Sequence, residues 1–401
     1  MANVLYVSLT GMAEALGKSQ VLEYLYNLSK DNNIYLISFE RENDIEKLEA
    51  LEKKIRTYNI HWEYLMYTNK YGIFSTIIQL FNGVKIGCKV IEDNNIHLLH
   101  ARSMIPALMC SILKYKYNIK LLFDIRDFST DEKVDRGRIK RKSLLYFILK
   151  KIEVRLYQYS DVIVALTYIS KEILHDKYKI DKKLIEVIPT CANKSIFSVL
   201  ETEDNLLFKK SLGFDESDKI IIHSGSVTGW YLFEKEVLLF KELVSYDKSM
   251  KFLVLNKGEH KYIKNIFEKH SIKQASYQIY SVEFEDVNKY LNISDASVYF
   301  IKPTFSKKAA IPTKFAELLA CEKLSIINSG IGDMDMYLNT YDVGYIVNID
   351  SINGDTITKI VDMINKNEIN KNDFNKLFFK HFDKDIACEK YEKIYRSLSG
   401  V

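Results

Sequence analysis

The sequence predicts an α/β protein built of two doubly wound, Rossmann-like halves. Short apolar runs alternate with longer stretches of helical period almost throughout, the pattern of βαβ units around a mostly parallel sheet. The alternation breaks near residues 189–193 and then starts again, so the unit occurs twice. A length of 401 residues is too great for one ordinary core and suits two.

In the first half, apolar runs place strands at 4–8, 34–39, 97–100, 120–123, 162–165 and 184–188. Helical periodicity places helices between them at 18–30, 43–56, 75–92 and 104–116. The second half repeats the scheme with strands at 220–224, 252–255, 278–280, 297–301, 324–327 and 344–347. The expected domains are 1–190 and 191–382. The segment from about 383 to 401 is helical in pattern, and fold analogy has it crossing back onto the first domain. Two such domains are expected to turn the C-terminal ends of their strands toward a central cleft, where ligands of doubly wound sheets bind.

Composition narrows the partners. Lys and Arg total 57 against 53 Asp and Glu, a net charge of only +4, which makes no case for nucleic acid. The five cysteines, Cys88, Cys110, Cys191, Cys321 and Cys388, form no C-x-x-C pair, so reduced thiols are expected rather than zinc sites or disulfides. The chain enters its first strand with no basic stretch and apolar run before it. No segment reaches the roughly 18 apolar residues of a membrane span. These features predict a cytoplasmic protein.

Four segments at strand ends or on one helix carry candidate chemistry. The turn 10–20 leads from the first strand into a helix whose start offers unpaired N–H groups. Its Gly11 and Gly17 would let a phosphate or sugar approach the backbone, and Lys18 adds a cation. It is neither a P-loop nor Gly-x-Gly-x-x-Gly, which removes the best support for ATP or a dinucleotide; an ordinary long βα loop is the alternative. The segment 305–321 follows a strand and ends in a helix with Pro312 expected at its first position. There Lys314 and Glu317 lie one turn apart. A cation beside free N–H groups suits a diphosphate, and a carboxylate suits a pair of sugar hydroxyls; a surface ion pair is the plainer reading. Asp124, Arg126 and Asp127 follow a third strand directly, and His100 and Arg102 end its neighbour. Charges there are costly unless they pair or meet a ligand. Finally, 138–155 holds Arg138, Lys140, Arg141, Lys142, Lys150, Lys151 and Arg155 against the single acid Glu153, with Leu144, Leu145, Phe147, Ile148 and Ile152 interleaved. It reads either as a membrane-surface helix or as a solvated helix with a buried apolar face.

The opening 4–28, the segment 123–127 and above all Pro312-Thr313-Lys314-Phe315-Ala316-Glu317-Leu318-Leu319-Ala320 resemble the family-4 retaining glycosyltransferases. Ser224-Gly225-Ser226-Val227-Thr228-Gly229-Trp230-Tyr231 is similar to the corresponding loop of a bacterial subgroup. The resemblance spans nearly the whole chain and implies the GT-B fold, with a role in capsule, O-antigen or related surface-polysaccharide synthesis. It implies a nucleotide-sugar donor, UDP-linked by preference, and a glycan or lipid-linked acceptor. No cofactor and no metal are expected, since no Asp-x-Asp stands where a metal-dependent transferase would use it. The membrane-surface reading of 138–155 would place this cytoplasmic protein on the anionic inner leaflet of the cell membrane.

Position by position, Glu317 matches the second Glu of the family's Glu-x7-Glu motif, which holds the donor ribose. Thr313, Leu318 and Leu319 fall where the nucleotide and its diphosphate are steadied, with Ser226, Lys307 and Lys308 as neighbours and Gly17 in the loop that closes over the donor. Arg126, Asp127 and Lys314 are the expected catalytic residues, and Gly11, Lys18, His100 and Arg102 the acceptor side. Three departures stand out. Ala309 replaces the first Glu, the usual Arg is missing from 224–228, and Arg126 stands about where relatives place a His. The other readings are an epimerase of the UDP-N-acetylglucosamine type and a non-catalytic nucleotide-sugar binder.

Overall fold

The computed structural model describes residues 1–41, 45–68, 70, 72–365 and 370–400. They form two compact units. The first contains Met1–Thr190, Lys308–Ala310 and the C-terminal helix Lys384–Ser399; the second contains Cys191–Lys307 and Ile311–Asp383.

The first unit is built on seven strands: β1 (Ala2–Ser8), β2 (Asn32–Glu40), β3 (Ile60–Met66), β4 (Leu98–Arg102), β5 (Lys120–Asp124), β6 (Val162–Ala165) and β7 (Ile185–Val187). All pairs are parallel, in the order β3-β2-β1-β4-β5-β6-β7. The second unit has β8 (Lys219–Ser224), β9 (Met250–Leu255), β10 (Tyr277–Tyr280), β11 (Ala296–Val298), β12 (Leu324–Asn328) and β13 (Gly344–Val347), again parallel, in the order β10-β9-β8-β11-β12-β13. Central strands are covered on both faces and therefore read as continuous apolar runs; every residue of β4 is buried. In each sheet the chain works outward one way, then returns and works outward the other way. The reversal falls between β1 and β4 in the first sheet and between β8 and β11 in the second, the places where such sheets receive ligands.

The structure adds one strand to those expected and sets the bounds of two helices. The strand β3, Ile60–Met66, has no apolar run because it lies at the sheet edge with most side chains exposed, so its signal is weak. The expected helix 43–56 is observed as Ile45–Ile55, its first two residues lying outside the described ones. The basic segment 138–155 is helical only from Leu144, where Ser143 caps the helix by accepting from Tyr146 N. Arg138, Lys140, Arg141 and Lys142 precede that helix.

That helix, Leu144–Tyr159, buries Tyr146, Glu153, Leu156 and Tyr157. Lys150 bridges the fully buried Asp131 at 2.6 Å and Glu153 at 2.5 Å, while Arg141 reaches Asp131 at 3.5 Å. Lys150 is thus spent inside the fold, tying the helix Ser129–Asp135 to its neighbour, and the half-exposed Arg141 reaches the same carboxylate from the surface. Removing one partner of such a buried network costs about 3–5 kcal/mol. Three apolar residues of the segment point to solvent, against the reading of a helix with a buried apolar face: Leu144 is 76% exposed, Phe147 59% and Ile148 48%.

Candidate functional site

In the second unit, the loop after β8 and the turn after β11 meet at the reversal of strand order. The turn Phe305–Ala309 leads to the helix Thr313–Ala320. Pro312 is its N-cap rather than its first helical residue, with φ −63° and ψ 127°, which proline tolerates because it has no N–H to leave unpaired. The surface Lys314–Glu317 ion pair, the plainer alternative, is not formed among the described residues. Lys314 is 7% exposed, its Nζ has no hydrogen-bond partner, and it lies over the rings of Tyr231 at 4.3 Å and Tyr299 at 5.1 Å. Ring faces attract a cation but do not replace hydrogen bonds to an anion. Lys307 lies over Trp230 at 3.9 Å, so two of this segment's three lysines, Lys307 and Lys314, rest against aromatic residues of the loop after β8.

Glu317 is half-buried, and burial pushes its carboxyl up to about 7, only partly offset by the Lys314 charge. Leu318 and Leu319 are core side chains, 0% and 2% exposed, and present no apolar surface to a ligand. Thr313 opens the helix and Lys308 is exposed on the preceding turn.

The loop after β8 is held by residues that sequence reasoning missed. The Glu259 carboxylate accepts from Ser226 Oγ at 3.0 Å, Val227 N at 3.1 Å, Asn256 Nδ2 at 2.9 Å and the Thr228 hydroxyl. Burial opposes its charge, but these bonds prevail and hold its carboxyl below the usual range. Ser226, expected to meet the donor, therefore already has a partner. Below it, His223 and Glu236 are fully buried and meet at 2.6 Å. His223 Nε2 lies 3.1 Å from the Ser226 carbonyl, and Glu236 accepts from Phe300 N at 2.8 Å. A carbonyl only accepts, so Nε2 carries a proton. This chain of bonds ties β8 and its loop to the residues after β11.

In the first unit, the turn after β1 has a different occupant from the one expected. The buried Glu40 carboxylate accepts from Met12 N at 2.7 Å, Ala13 N at 3.2 Å and Ser38 Oγ at 2.6 Å. Two N–H groups of the turn that precedes the helix are thus taken by a resident carboxylate. The glycines serve the same packing. A Cβ on Gly11 would stand 2.8 Å from Glu40 Oε2, and one on Gly17 would stand 2.0 Å from the Gly11 carbonyl oxygen. Both make room for the loop itself. Lys18 begins a π-helical turn and is half-buried.

At the ends of β4 and β5, the residues singled out in the sequence do converge. Arg102 and Asp124 are register partners. Asp124, 1% exposed, meets Arg126 Nη1 at 3.3 and 3.4 Å, Arg102 Nη1 at 3.6 Å and the Tyr391 hydroxyl at 3.3 Å. Burial works against the Asp124 charge, yet the neighbouring Arg126, His100 and Arg102 hold its carboxyl well below the carboxylate range. His100 is not offered to an acceptor. It is 2% exposed, bonded through Nδ1 to Tyr395 at 2.7 Å, and burial lowers its pKa. Tyr391 and Tyr395 come from the C-terminal helix, so their part in this cluster was invisible in local sequence. Asp127 turns to the Ser129 hydroxyl; burial and the neighbouring Glu132 push its carboxyl up to about 7.

No protein-family model and no curated protein sequence matches the chain. Solved structures do match it over its whole length. A glycosyltransferase from Rickettsia africae superposes with a TM-score of 0.70 at 18% identity, covering 99% of this chain and 98% of the other. Sucrose-phosphate synthase from Thermosynechococcus elongatus gives 0.74 at 13% identity, covering 99% of each. HepE from Anabaena, in complex with UDP and glucose, gives 0.72 at 11% identity, covering 99% of this chain and all of the other. The chain has the GT-B fold, two Rossmann-like α/β domains with parallel sheets of seven and six strands.

Proposed function

We propose that the protein is a retaining, metal-independent glycosyltransferase of the family-4 kind. It would move a hexosyl or N-acetylhexosaminyl group from a nucleotide-sugar to a glycan or lipid-linked acceptor in bacterial surface-polysaccharide synthesis. One observation carries this reading: Lys314, a buried ammonium without a hydrogen-bond partner, stands one helical turn from Glu317 where strand order reverses in the second sheet. A diphosphate would complete Lys314, and ribose hydroxyls would donate to Glu317. During transfer the bond from the anomeric carbon to the phosphate oxygen breaks, the acceptor hydroxyl oxygen bonds to the same face, and its proton passes to the departing diphosphate. Lys314 would stabilise the departing diphosphate electrostatically, filling the role of a metal ion. The UDP bound by the Anabaena relative supports a uridine donor.

Membrane attachment is part of the proposal. Among the described residues no helix is long and apolar enough to cross a bilayer. The exposed Leu144, Phe147 and Ile148, beside Arg138, Lys140 and Lys142, suit the anionic surface of one.

The test is Lys314→Met, titrated with UDP in the presence of EDTA. Wild type should bind, and the variant should bind at least tenfold more weakly, since a charge-assisted bond contributes about 1.5–3 kcal/mol. Because the substitution also removes a buried unpaired charge, the variant should unfold at equal or higher denaturant. Equal affinity in both proteins, or wild-type binding that requires a divalent ion, would overturn the reading.

A further inference from the structure

The cluster at the ends of β4 and β5 holds more positive charge than the fold uses. The charged groups facing His100 are Asp124, Arg102 and Arg126, two guanidiniums against one carboxylate. His100 itself is kept neutral by burial. The side chains of Arg102 and Arg126 are only 8% and 15% exposed, so the surplus charge is largely withdrawn from water. An unbalanced buried charge is unfavourable unless something completes it.

Bond lengths agree with the charge count. Charge-assisted N–H···O bonds run at about 2.7–2.9 Å, and each arginine offers five donors. Here Arg126 reaches Asp124 at 3.3 and 3.4 Å and Thr190 Oγ1 at 3.5 Å, while Arg102 reaches Asp124 at 3.6 Å. Both forks are engaged loosely. Asp124 is held in addition by Tyr391, which limits how far it can turn toward either arginine. Arg102 ends β4 beside β1, where strand order reverses in the first sheet.

We propose that Arg102 and Arg126 form a subsite for an acidic group, a carboxylate or a phosphate, carried by the sugar acceptor. The naming of the ligand as an acceptor rests on the glycosyltransferase reading above; the anion subsite itself does not. A planar fork pairs bidentately with either group. A purely structural cluster, tying the C-terminal helix to the sheet through Tyr391 and Tyr395, would show no preference for acidic sugars.

The experiment titrates the full-length protein with glucose, glucuronate and glucose 6-phosphate, each with and without saturating UDP. At least one acidic sugar should bind tenfold or more tighter than glucose, and which of the two binds tighter tells carboxylate from phosphate. The preference should persist with UDP bound, which separates this subsite from the donor phosphates. Arg102→Gln should lose at least tenfold in acidic-sugar affinity with its UDP affinity unchanged. Arg102→Lys, which keeps the charge and loses the fork, should fall between. Equal binding of all three sugars by wild type overturns the proposal even if neither variant folds; so does unchanged acidic-sugar affinity in a folded Arg102→Gln. Failure of UDP to bind, with the acidic preference intact, would count against the donor reading alone.

Discussion

The two strand-order reversals of this molecule have the same topology and differ in how their loops are held. At the first, the loop after β1 has its N–H groups taken up by Glu40, and Asp124 is surrounded by Arg102, Arg126 and Tyr391. At the second, the loop after β8 is clamped from outside by Glu259, and the Lys314 ammonium is left with ring faces and no hydrogen bond. The contrast teaches that topology marks both places as ligand sites, while the resident acids decide what each can accept. A carboxylate seated against two amides of a turn takes those two donors from any phosphate. An ammonium buried without one creates a demand.

The largest effect should come from taking the resident acid away. Glu40→Ala deletes three hydrogen bonds to a buried carboxylate, worth about 1.5–3 kcal/mol each before relaxation. We expect a loss of about 3 kcal/mol or more in denaturant-unfolding stability, with the UDP dissociation constant unchanged. Inorganic phosphate should then raise the melting temperature of the variant more than that of wild type, by filling the vacated cradle. If UDP binding fell with Glu40, the loop after β1 would belong to the donor site and the contrast would fail.

Next in size is Glu317. Glu317→Ala should weaken UDP at least tenfold and Glu317→Gln should lose less, having one acceptor in place. The carboxyl of the free protein keeps its proton up to about 7, and only its ionised form accepts from both ribose hydroxyls. UDP affinity should therefore fall about tenfold per pH unit below 7, and Glu317→Gln should flatten the profile. The same group fixes a sign for stability. An unfolded chain releases this proton near 4.5 while the native state holds it, so native protein binds more protons between 4.5 and about 7. Its contribution to stability falls as pH rises through that window, and Glu317→Gln should abolish that slope. A flat UDP profile in wild type would remove Glu317 from the donor site.

The smallest effect per residue is at the surface of the first unit, where it separates spent cations from unspent ones. Arg138, Lys140 and Lys142 should each contribute about 1 kcal/mol to binding anionic vesicles at low salt. Their change to Glu should abolish pelleting with such vesicles and leave neutral ones unaffected. Lys150, committed to Asp131 and Glu153, should instead cost stability when replaced. Equal pelleting of wild type and the triple variant would reject the membrane surface.

Much of the fold could be read from residue order alone, because a parallel strand covered on both faces must be apolar along its length. β4 and β5 announce themselves in this way; the edge strand β3 does not, since its exposed face relaxes that demand. The helix Thr313–Ala320 and its Lys314 were equally legible, the spacing of cation and carboxylate being a local property. The sequence by itself therefore determined two doubly wound sheets and the segments that end their strands. What it could not determine is which charges are already satisfied. Glu40 lies 28 positions from the amide of Met12 that it accepts from, Glu259 lies 32 from that of Val227, and Tyr391 lies 267 from Asp124. Hydrogen-bond partners at such separations are set by tertiary packing, because a buried polar group pairs with whatever the fold brings within about 3 Å. That pairing separates a filled site from one that still calls for a ligand.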